Sequence, residues 1–369
     1  MYSLTKRVAD ALLRRVSRAL PAWQRPRAEQ AYPARAPYQP TLPANLVMFG
    51  PAAAEQFQRP VGFPPYHIYR LRNVHVTWDG AVFHNLRLFE PSIVYAKFAS
   101  RFQDTLLLRQ WVGERVDVPA PCVAVCHDQW SVGNYYHWLI DTLPRLLVLR
   151  RHHPHMRLLL PQPLPPRQLP DYVSLSAAAL GFTDYVPLSP RQILRAGCVV
   201  LPELTAHSLT QHPEYVVQAR AELLAALAPA PAPPATRRVY AARVADGVRS
   251  LVNEAEVDAV LRELGFEKIY FEKMPFMEQI QLMRETAVFL GVHGAGMTNM
   301  LFLPAGARVV ELLNDEHGDL CYFRLASCLG LPYFWAPGAG TSPELANQSD
   351  LVMDPDQLRR IVTAALGPE

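Results

Sequence analysis

Residues 291–299, Gly-Val-His-Gly-Ala-Gly-Met-Thr-Asn, put three glycines and a histidine between the apolar run Ala287–Leu290 and the amphipathic run Met297–Leu303. Glycine costs backbone entropy and buries nothing, so a packed core does not call for it; a ligand lying close to the backbone does. A helix starting near Met297 would point free N–H groups outward, which suits a phosphate or diphosphate. His293, Gly294, Ala295, Gly296 and Asn299 are the candidate contacts, and a tight structural turn is the competing reading. The loop is not G-x-G-x-x-G and lacks the lysine of a P-loop, so it suggests an anion without naming a nucleotide. Glu311, ending a short strand, could accept hydrogen bonds from ribose hydroxyls, or be a surface carboxylate. Arg243 and Arg249 follow another strand, and Asn253-Glu254 opens the next helix. Arginine forks match phosphate oxygens, although a solvated loop with an asparagine cap reads the same way. Finally, His137 and Asp141 lie four apart in Asn134-Tyr135-Tyr136-His137-Trp138-Leu139-Ile140-Asp141, on one helix face that Arg145 extends. Such a pair can take a proton from a hydroxyl, or be a buried ion pair.

These groups need elements to hold them, and the pattern alternates. In the first half, strands are expected at 122–127, 157–160, 185–188 and 198–201, with helices at 134–151, 172–180 and 214–227. In the second, strands at 238–242, 268–271, 287–291, 308–313 and 333–335 alternate with helices at 254–264, 276–284, 320–329 and a short one from Met297. Asp354-Pro355-Asp356 opens a last helix, with aspartate as cap and proline in the first turn. Strand–helix alternation implies α/β architecture, with parallel sheets covered on both faces and ligands at the strands' carboxyl ends. The expected organisation is a basic helix at 1–25, a proline-rich tether at 26–65, a Rossmann-like domain at 66–228, a proline-rich linker at 229–235, a second Rossmann-like domain at 236–345, and a helix within 346–369 packing back.

Composition removes several classes. With 369 residues, half of them hydrophobic, the chain can build two cores. Six basic side chains against Asp10 give residues 1–25 a charge of +5; the whole chain is +3, so the body is slightly acidic and is no nucleic-acid binder. On a helical wheel Leu4, Val8, Leu12, Val16, Leu20 and Trp23 oppose Lys6, Arg7, Arg14 and Arg18. That is the pattern of a helix lying on an anionic membrane, or of one docked on the protein body. Thr286–Ala307 has no charged side chain, but its glycines and Pro304 break it up, so no spanning helix is expected there. The five cysteines form no C-x-x-C pair, which reads as a reducing compartment without disulfide or zinc site. No aspartate pair follows a strand to hold a divalent metal, no G-x-S-x-G elbow occurs, and no early glycine fingerprint marks a nicotinamide enzyme.

Taken together, His293-Gly294-Ala295-Gly296-Met297-Thr298-Asn299, Phe302-Leu303-Pro304 and Val309-Val310-Glu311 resemble the signature of family 61 glycosyltransferases. Asn134 to Arg145 resembles that family's N-terminal motif, and Arg243, Arg249 and Asn253-Glu254 its third. The likeness covers about residues 120–340 and includes bacterial members of capsular polysaccharide synthesis. It implies a GT-B fold, with two Rossmann-like domains facing a cleft, and inverting transfer without a metal cofactor. The donor would be a nucleotide-sugar, with a UDP-sugar first in line, and the acceptor a glycan or lipid-linked oligosaccharide. His293, the loop amides, Arg243 and Arg249 would hold the diphosphate, and Glu311 the ribose. Asn134, Tyr136 and Arg145 would line the acceptor side, with Asp141 as preferred base and His137 as its partner or replacement. A chain rich in Ala, Arg and Pro without an evident anchor fits a bacterial cytoplasmic member, held peripherally at the membrane by residues 1–25. A catalytically inactive binding subunit, or a sugar-nucleotide epimerase or hydrolase, would use the same frame.

Overall fold

Runs of Val, Leu and Ile at strand spacing build two sheets, and a computed structural model shows how the chain distributes them. It describes residues 8, 11–12, 15–16, 23, 25–85, 87–94, 113–118, 122–243, 249–315, 318–342 and 348–367. The chain forms two compact units. Unit 1 comprises Met1–Arg35 and Pro64–Ser208, and unit 2 comprises Ala36–Phe63 and Leu209–Glu369. The boundary therefore falls at Ser208, ahead of the proline-rich run 229–235, and the stretch read as a tether contributes to both units.

Unit 1 is built on one mixed sheet. Tyr185–Leu188, Arg157–Pro161, Val123–Ala124 and Gln192–Pro202 run parallel in that order, the arrangement expected for an α/β half. Gln192–Pro202 then pairs antiparallel with the long strand Tyr66–Thr77, which continues into Val82–His84 and Arg87–Leu88. That antiparallel extension was not expected. Residues 66–77 alternate irregularly, with Arg70, Arg72 and His75 interrupting the apolar run. The helix Leu143–His152 has buried residues throughout Leu143–Leu149, so it is a core helix, not a half-exposed one. Trp23, expected on a membrane-facing stripe, packs instead on Phe89 of unit 1, with ring centroids 5.2 Å apart. Within residues 1–25 the described positions 8, 11–12 and 15–16 are helical, and Val8, Leu12 and Val16 are exposed. Among the described residues no helix is long and apolar enough to cross a membrane.

The cysteine reading is corrected. Cys122 and Cys198 form a disulfide, with Cα atoms 4.5 Å apart. They are separated by 76 residues, but the pairing of Val123 with Val199 makes them neighbours across two parallel strands. Cys126, Cys321 and Cys328 are buried thiols.

Unit 2 follows the sequence closely. Its sheet order is Glu267–Ile269, Arg237–Ala241, Thr286–Val292, Arg308–Asn314, Tyr333–Gly340 and Leu351–Val352. Every pairing is parallel except the last. The central strands Thr286–Val292 and Arg308–Asn314 are buried almost throughout, as parallel strands covered on both faces must be. Gly265, at φ 74°, ends the helix Glu254–Glu263 in the left-handed conformation that glycine adopts without strain. Asp354 caps Pro355–Leu366 by accepting from the N–H groups of Asp356 and Gln357. That helix buries Leu358, Ile361, Val362 and Ala365 in the unit 2 core.

Candidate functional site

In unit 1 the polar groups gather past the carboxyl ends of Val123–Ala124 and Gln192–Pro202. Residues His137–Thr142 form a π-helical turn leading into Leu143–His152. Such wide turns are rare and concentrate at functional sites. His137 Nδ1–H donates to Asp141 Oδ2 at 2.7 Å, and Ser208 Oγ–H donates to the same oxygen at 3.1 Å. Both members of the pair are buried, with side-chain exposures of 9% and 4%. Burial raises the Asp141 carboxyl above the ordinary aspartate range, and the hydrogen bonds from His137 and Ser208 oppose that. Because Asp141 receives Nδ1–H, the histidine presents Nε2 as its proton acceptor. This order, carboxylate to Nδ1 and Nε2 outward, is the one in which histidine acts as base and the carboxylate orients it. Asp141, preferred as the base from the sequence, stands behind the imidazole in this arrangement. Trp130 sits beside the imidazole with ring centroids 4.7 Å apart.

The exposed Asn134 and the buried Arg145 hold this arrangement. Asn134 Oδ1 accepts from the His137 N–H at 3.3 Å. Arg145, only 2% exposed, donates Nε–H to the Pro202 carbonyl at 2.8 Å and lies 3.4 Å from Asp128 Oδ2. Asp128 Oδ1 in turn accepts from the N–H groups of Trp130 and Ser131. Arg145 therefore ties two strand ends together and fixes the Trp130 turn. Tyr136 is buried against His137, 5.1 Å between centroids, as part of the wall.

In unit 2 the strand Thr286–Val292 delivers His293 to the carboxyl edge, and Ala295–Phe302 forms a 3-10 helix directly behind it. The three glycines have three separate reasons. A Cβ on Gly291 would meet Met297 Sδ at 2.6 Å and Ala241 Cβ at 3.0 Å, so core packing excludes it. A Cβ on Gly294 would lie 2.0 Å from Arg243 Nη1, which crosses there to donate to the His293 carbonyl at 3.2 Å. A Cβ on Gly296 would make only ordinary contacts, 3.8 Å or more, so the protein itself does not require glycine there. Ala295 and Gly296 are the part-exposed residues of the loop, next to a helix start and the Arg243 cation. The combination suits an anion. Gly291→Ala is accordingly expected to lose about 1–3 kcal/mol of stability by overpacking. Gly296→Ala should melt like the wild type yet bind nucleotide more weakly; paired thermal melts with and without ligand separate the two.

Glu311, expected from the sequence to hold ribose, has its hydrogen bonds within the protein. It lies inside the strand Arg308–Asn314, is fully buried, and has both oxygens engaged. Oε1 accepts from His293 Nδ1–H at 2.6 Å and Oε2 from the Tyr333 hydroxyl at 2.6 Å. It orients His293, as Asp141 orients His137. Asn299 is also spoken for: fully buried, it donates to Gln279 Oε1 at 3.0 Å. Gln279 in turn donates to the carbonyls of Phe271 and Met274. Asn253 clamps the Met353 backbone, accepting from its N–H at 3.1 Å and donating to its carbonyl at 2.8 Å, and its side chain does not cap the helix. Glu254 pairs with Lys268 at 2.8 Å. Arg249 holds φ 66° and has a buried Nε without a hydrogen-bond partner. Strain at a non-glycine residue and an unsatisfied guanidinium edge fit a group waiting for an anion.

Asp319, Cys321 and Tyr333 had no signal in the sequence, and they complete the surroundings of His293. His293 Nε2 lies 3.7 Å from Asp319 Oδ2, and the imidazole packs edge-on against Tyr322 at 4.9 Å. Burial, reinforced by Asp319 and Glu311, pushes the Cys321 thiol well above its ordinary value.

Residues 135–310 match the family Glycosyltransferase 61. The family 61 match begins one residue after Asn134, spans His137, Asp141, Ser208, Arg243 and His293, and stops one residue before Glu311. The chain is also similar to the EGF domain-specific O-linked N-acetylglucosamine transferase of Drosophila melanogaster, 38% identical over 88 residues, 23% of this chain and 17% of that protein. The same-named protein of Mus musculus is 31% identical over 102 residues, 26% of this chain and 19% of its own. That of Xenopus laevis is 39% identical over 75 residues, 20% and 14% respectively. The chain thus spans less than a fifth of the length of these curated relatives. The family 61 match and these likenesses support a glycosyltransferase. All three relatives are animal proteins, so they lend no support to the bacterial capsular setting expected from the sequence.

Proposed function

We propose that the chain is an inverting glycosyltransferase of the GT-B type that moves a sugar from a nucleotide-sugar to a hydroxyl acceptor. The observation that carries this reading is the Arg243 guanidinium laid across Gly294, beside a helix start whose Gly296 the protein's own packing does not require. Unit 2 takes the donor. Arg243, Arg249 and the amides of Ala295 and Gly296 meet the diphosphate, and His293, held by Glu311, faces it as well. The arginines neutralise the leaving diphosphate, so no divalent metal is needed there. Unit 1 takes the acceptor. The acceptor hydroxyl gives its proton to His137 Nε2 while its oxygen attacks the anomeric carbon. The bond from that carbon to the diphosphate oxygen breaks, and a single displacement inverts the centre. Asp141 stabilises the imidazolium that forms.

UDP is the nucleotide to test first, and N-acetylglucosamine the first sugar, because the relatives' names carry it. The acceptor is a glycan or lipid-linked oligosaccharide. A thermal-shift screen with UDP, GDP, CMP, dTDP and ADP, with and without EDTA, tests the donor assignment. UDP at about 100 times its dissociation constant should add ~2.7 kcal/mol of stability, and EDTA should not remove it. A shift with another nucleotide would change the donor; no shift with any would return the glycine loop to a structural turn.

A further inference from the structure

We propose that His293, Asp319 and Cys321 form a binding site for a divalent transition metal, zinc first, and that zinc bound there excludes the sugar donor. One ligand atom from each residue lies within 4.8 Å of the other two, and the set offers nitrogen, oxygen and sulfur. Atoms bound to one tetrahedral zinc stand roughly 3.3–3.6 Å apart, as follows from metal–ligand bonds of about 2.0–2.3 Å. The 3.7 Å between His293 Nε2 and Asp319 Oδ2 is too long for a direct hydrogen bond and close to that spacing.

The imidazole is already set for a metal. Glu311 takes the Nδ1–H at 2.6 Å, which holds the ring with Nε2 on the Asp319 side, 3.7 Å from Oδ2. Glu311 is itself fixed by the Tyr333 hydroxyl at 2.6 Å and is fully buried. A carboxylate behind a histidine is the arrangement that fixes the tautomer and raises the basicity of metal-binding imidazoles. Three protein ligands with mixed N, O and S donors fit zinc better than the hard cations, which take oxygen. They leave a fourth position for water.

The site is distinct from the arginines that answer for the diphosphate, but it shares His293 with them. Zinc would draw Nε2 away from the donor, so the metal acts as an inhibitor. That antagonism rests on the donor reading above; the metal site does not.

The test uses the full chain without a histidine tag, stripped with EDTA and dialysed. Zinc chloride is titrated by calorimetry into the wild type, Cys321→Ser, Asp319→Asn and Glu311→Gln. Cobalt chloride is followed in parallel by absorption. The expected result is one metal per chain, a thiolate-to-cobalt charge-transfer band, and loss of that band in Cys321→Ser. Glu311→Gln should bind zinc about 10–100-fold more weakly, the usual cost of losing the carboxylate behind a metal-bound histidine. Absence of the cobalt band in the wild type overturns the site regardless of how the variants fold. So does zinc binding of equal strength in the wild type and a folded Cys321→Ser. UDP titrations with and without zinc separate the two readings. Zinc binding with the cobalt band, but no competition with UDP, keeps the metal site and overturns the donor role of His293. UDP binding without any zinc binding does the reverse.

Discussion

Asp141→Asn is expected to lower sugar transfer about 10²–10⁴-fold while leaving UDP affinity within about twofold, because the pair acts on the acceptor proton and not on the donor. Asparagine fills the same space and can still accept from Ser208. It cannot carry the negative charge that stabilises an imidazolium on His137, where the carboxylate now sits 2.7 Å from Nδ1. His137→Gln should cause a loss of similar size, and the double variant little more than either single one, since the two residues work as a unit. Initial-rate kinetics at saturating donor, with UDP binding measured separately, decide it. An Asp141→Asn enzyme with near wild-type turnover and an unaffected donor KM would remove the pair from the mechanism. There is a pH signature too. The Asp141 carboxyl is raised by burial, so on this count activity should fall with decreasing pH at a higher pH than an ordinary aspartate would give. A raised carboxyl also means that the folded state holds its proton more tightly than the unfolded chain. Its contribution to stability is therefore greatest at low pH and declines as pH rises through the folded value. Asp141→Asn should flatten that part of the stability profile.

Glu311→Ala should be among the most damaging single changes in unit 2, costing about 3–5 kcal/mol, the range found when one member of a buried pair is removed. It leaves His293 Nδ1–H and the Tyr333 hydroxyl facing an emptied space in the core. Glu311→Gln keeps the volume, yet one of its two positions becomes a donor facing a donor, and a loss of about 1–3 kcal/mol is expected. Urea denaturation gives the stabilities. The same variants should bind nucleotide poorly even when folded, since His293 loses the partner that fixes its ring. A Glu311→Ala protein as stable as the wild type would mean that the carboxylate is not the anchor its hydrogen bonds describe.

What could be read in the sequence follows the range over which each feature is encoded. The His137–Asp141 pair is local, four residues along one turn, and the spacing alone brings the two together. The sheet of unit 2 is built from consecutive strand–helix repeats, so its strands were legible to within a residue or two at most ends. Glu311 was legible as a polar group beside the glycine loop, but not in its role. Its partners lie 18 and 22 residues away on either side, and strand register sets those contacts. Asn253 and Asn299 looked like ligand contacts because an amide beside a glycine loop can serve backbone or ligand equally well, and here the protein uses them first. The disulfide escaped because the two strands that bring Cys122 to Cys198 are not neighbours in sequence. Residues 66–88 escaped because their charged side chains broke the alternation that marks a strand.

The division of the chain also sets an order in time. Ala36–Phe63 belongs to unit 2, yet it is made before Pro64–Ser208 of unit 1 and long before Leu209–Glu369. Phe57, fully buried in the finished protein, packs edge-on against Phe323 and Trp335 at centroid distances of 4.8 and 5.4 Å. On a ribosome adding roughly 5–20 residues per second, those partners arrive many seconds after Phe57 has emerged. Unit 1 can close as soon as Ser208 is out, while an early strip of unit 2 waits for its partners. Expression of this protein should thus depend on what shields residues 36–63 during that interval, and chaperones that hold short apolar segments are the natural candidates.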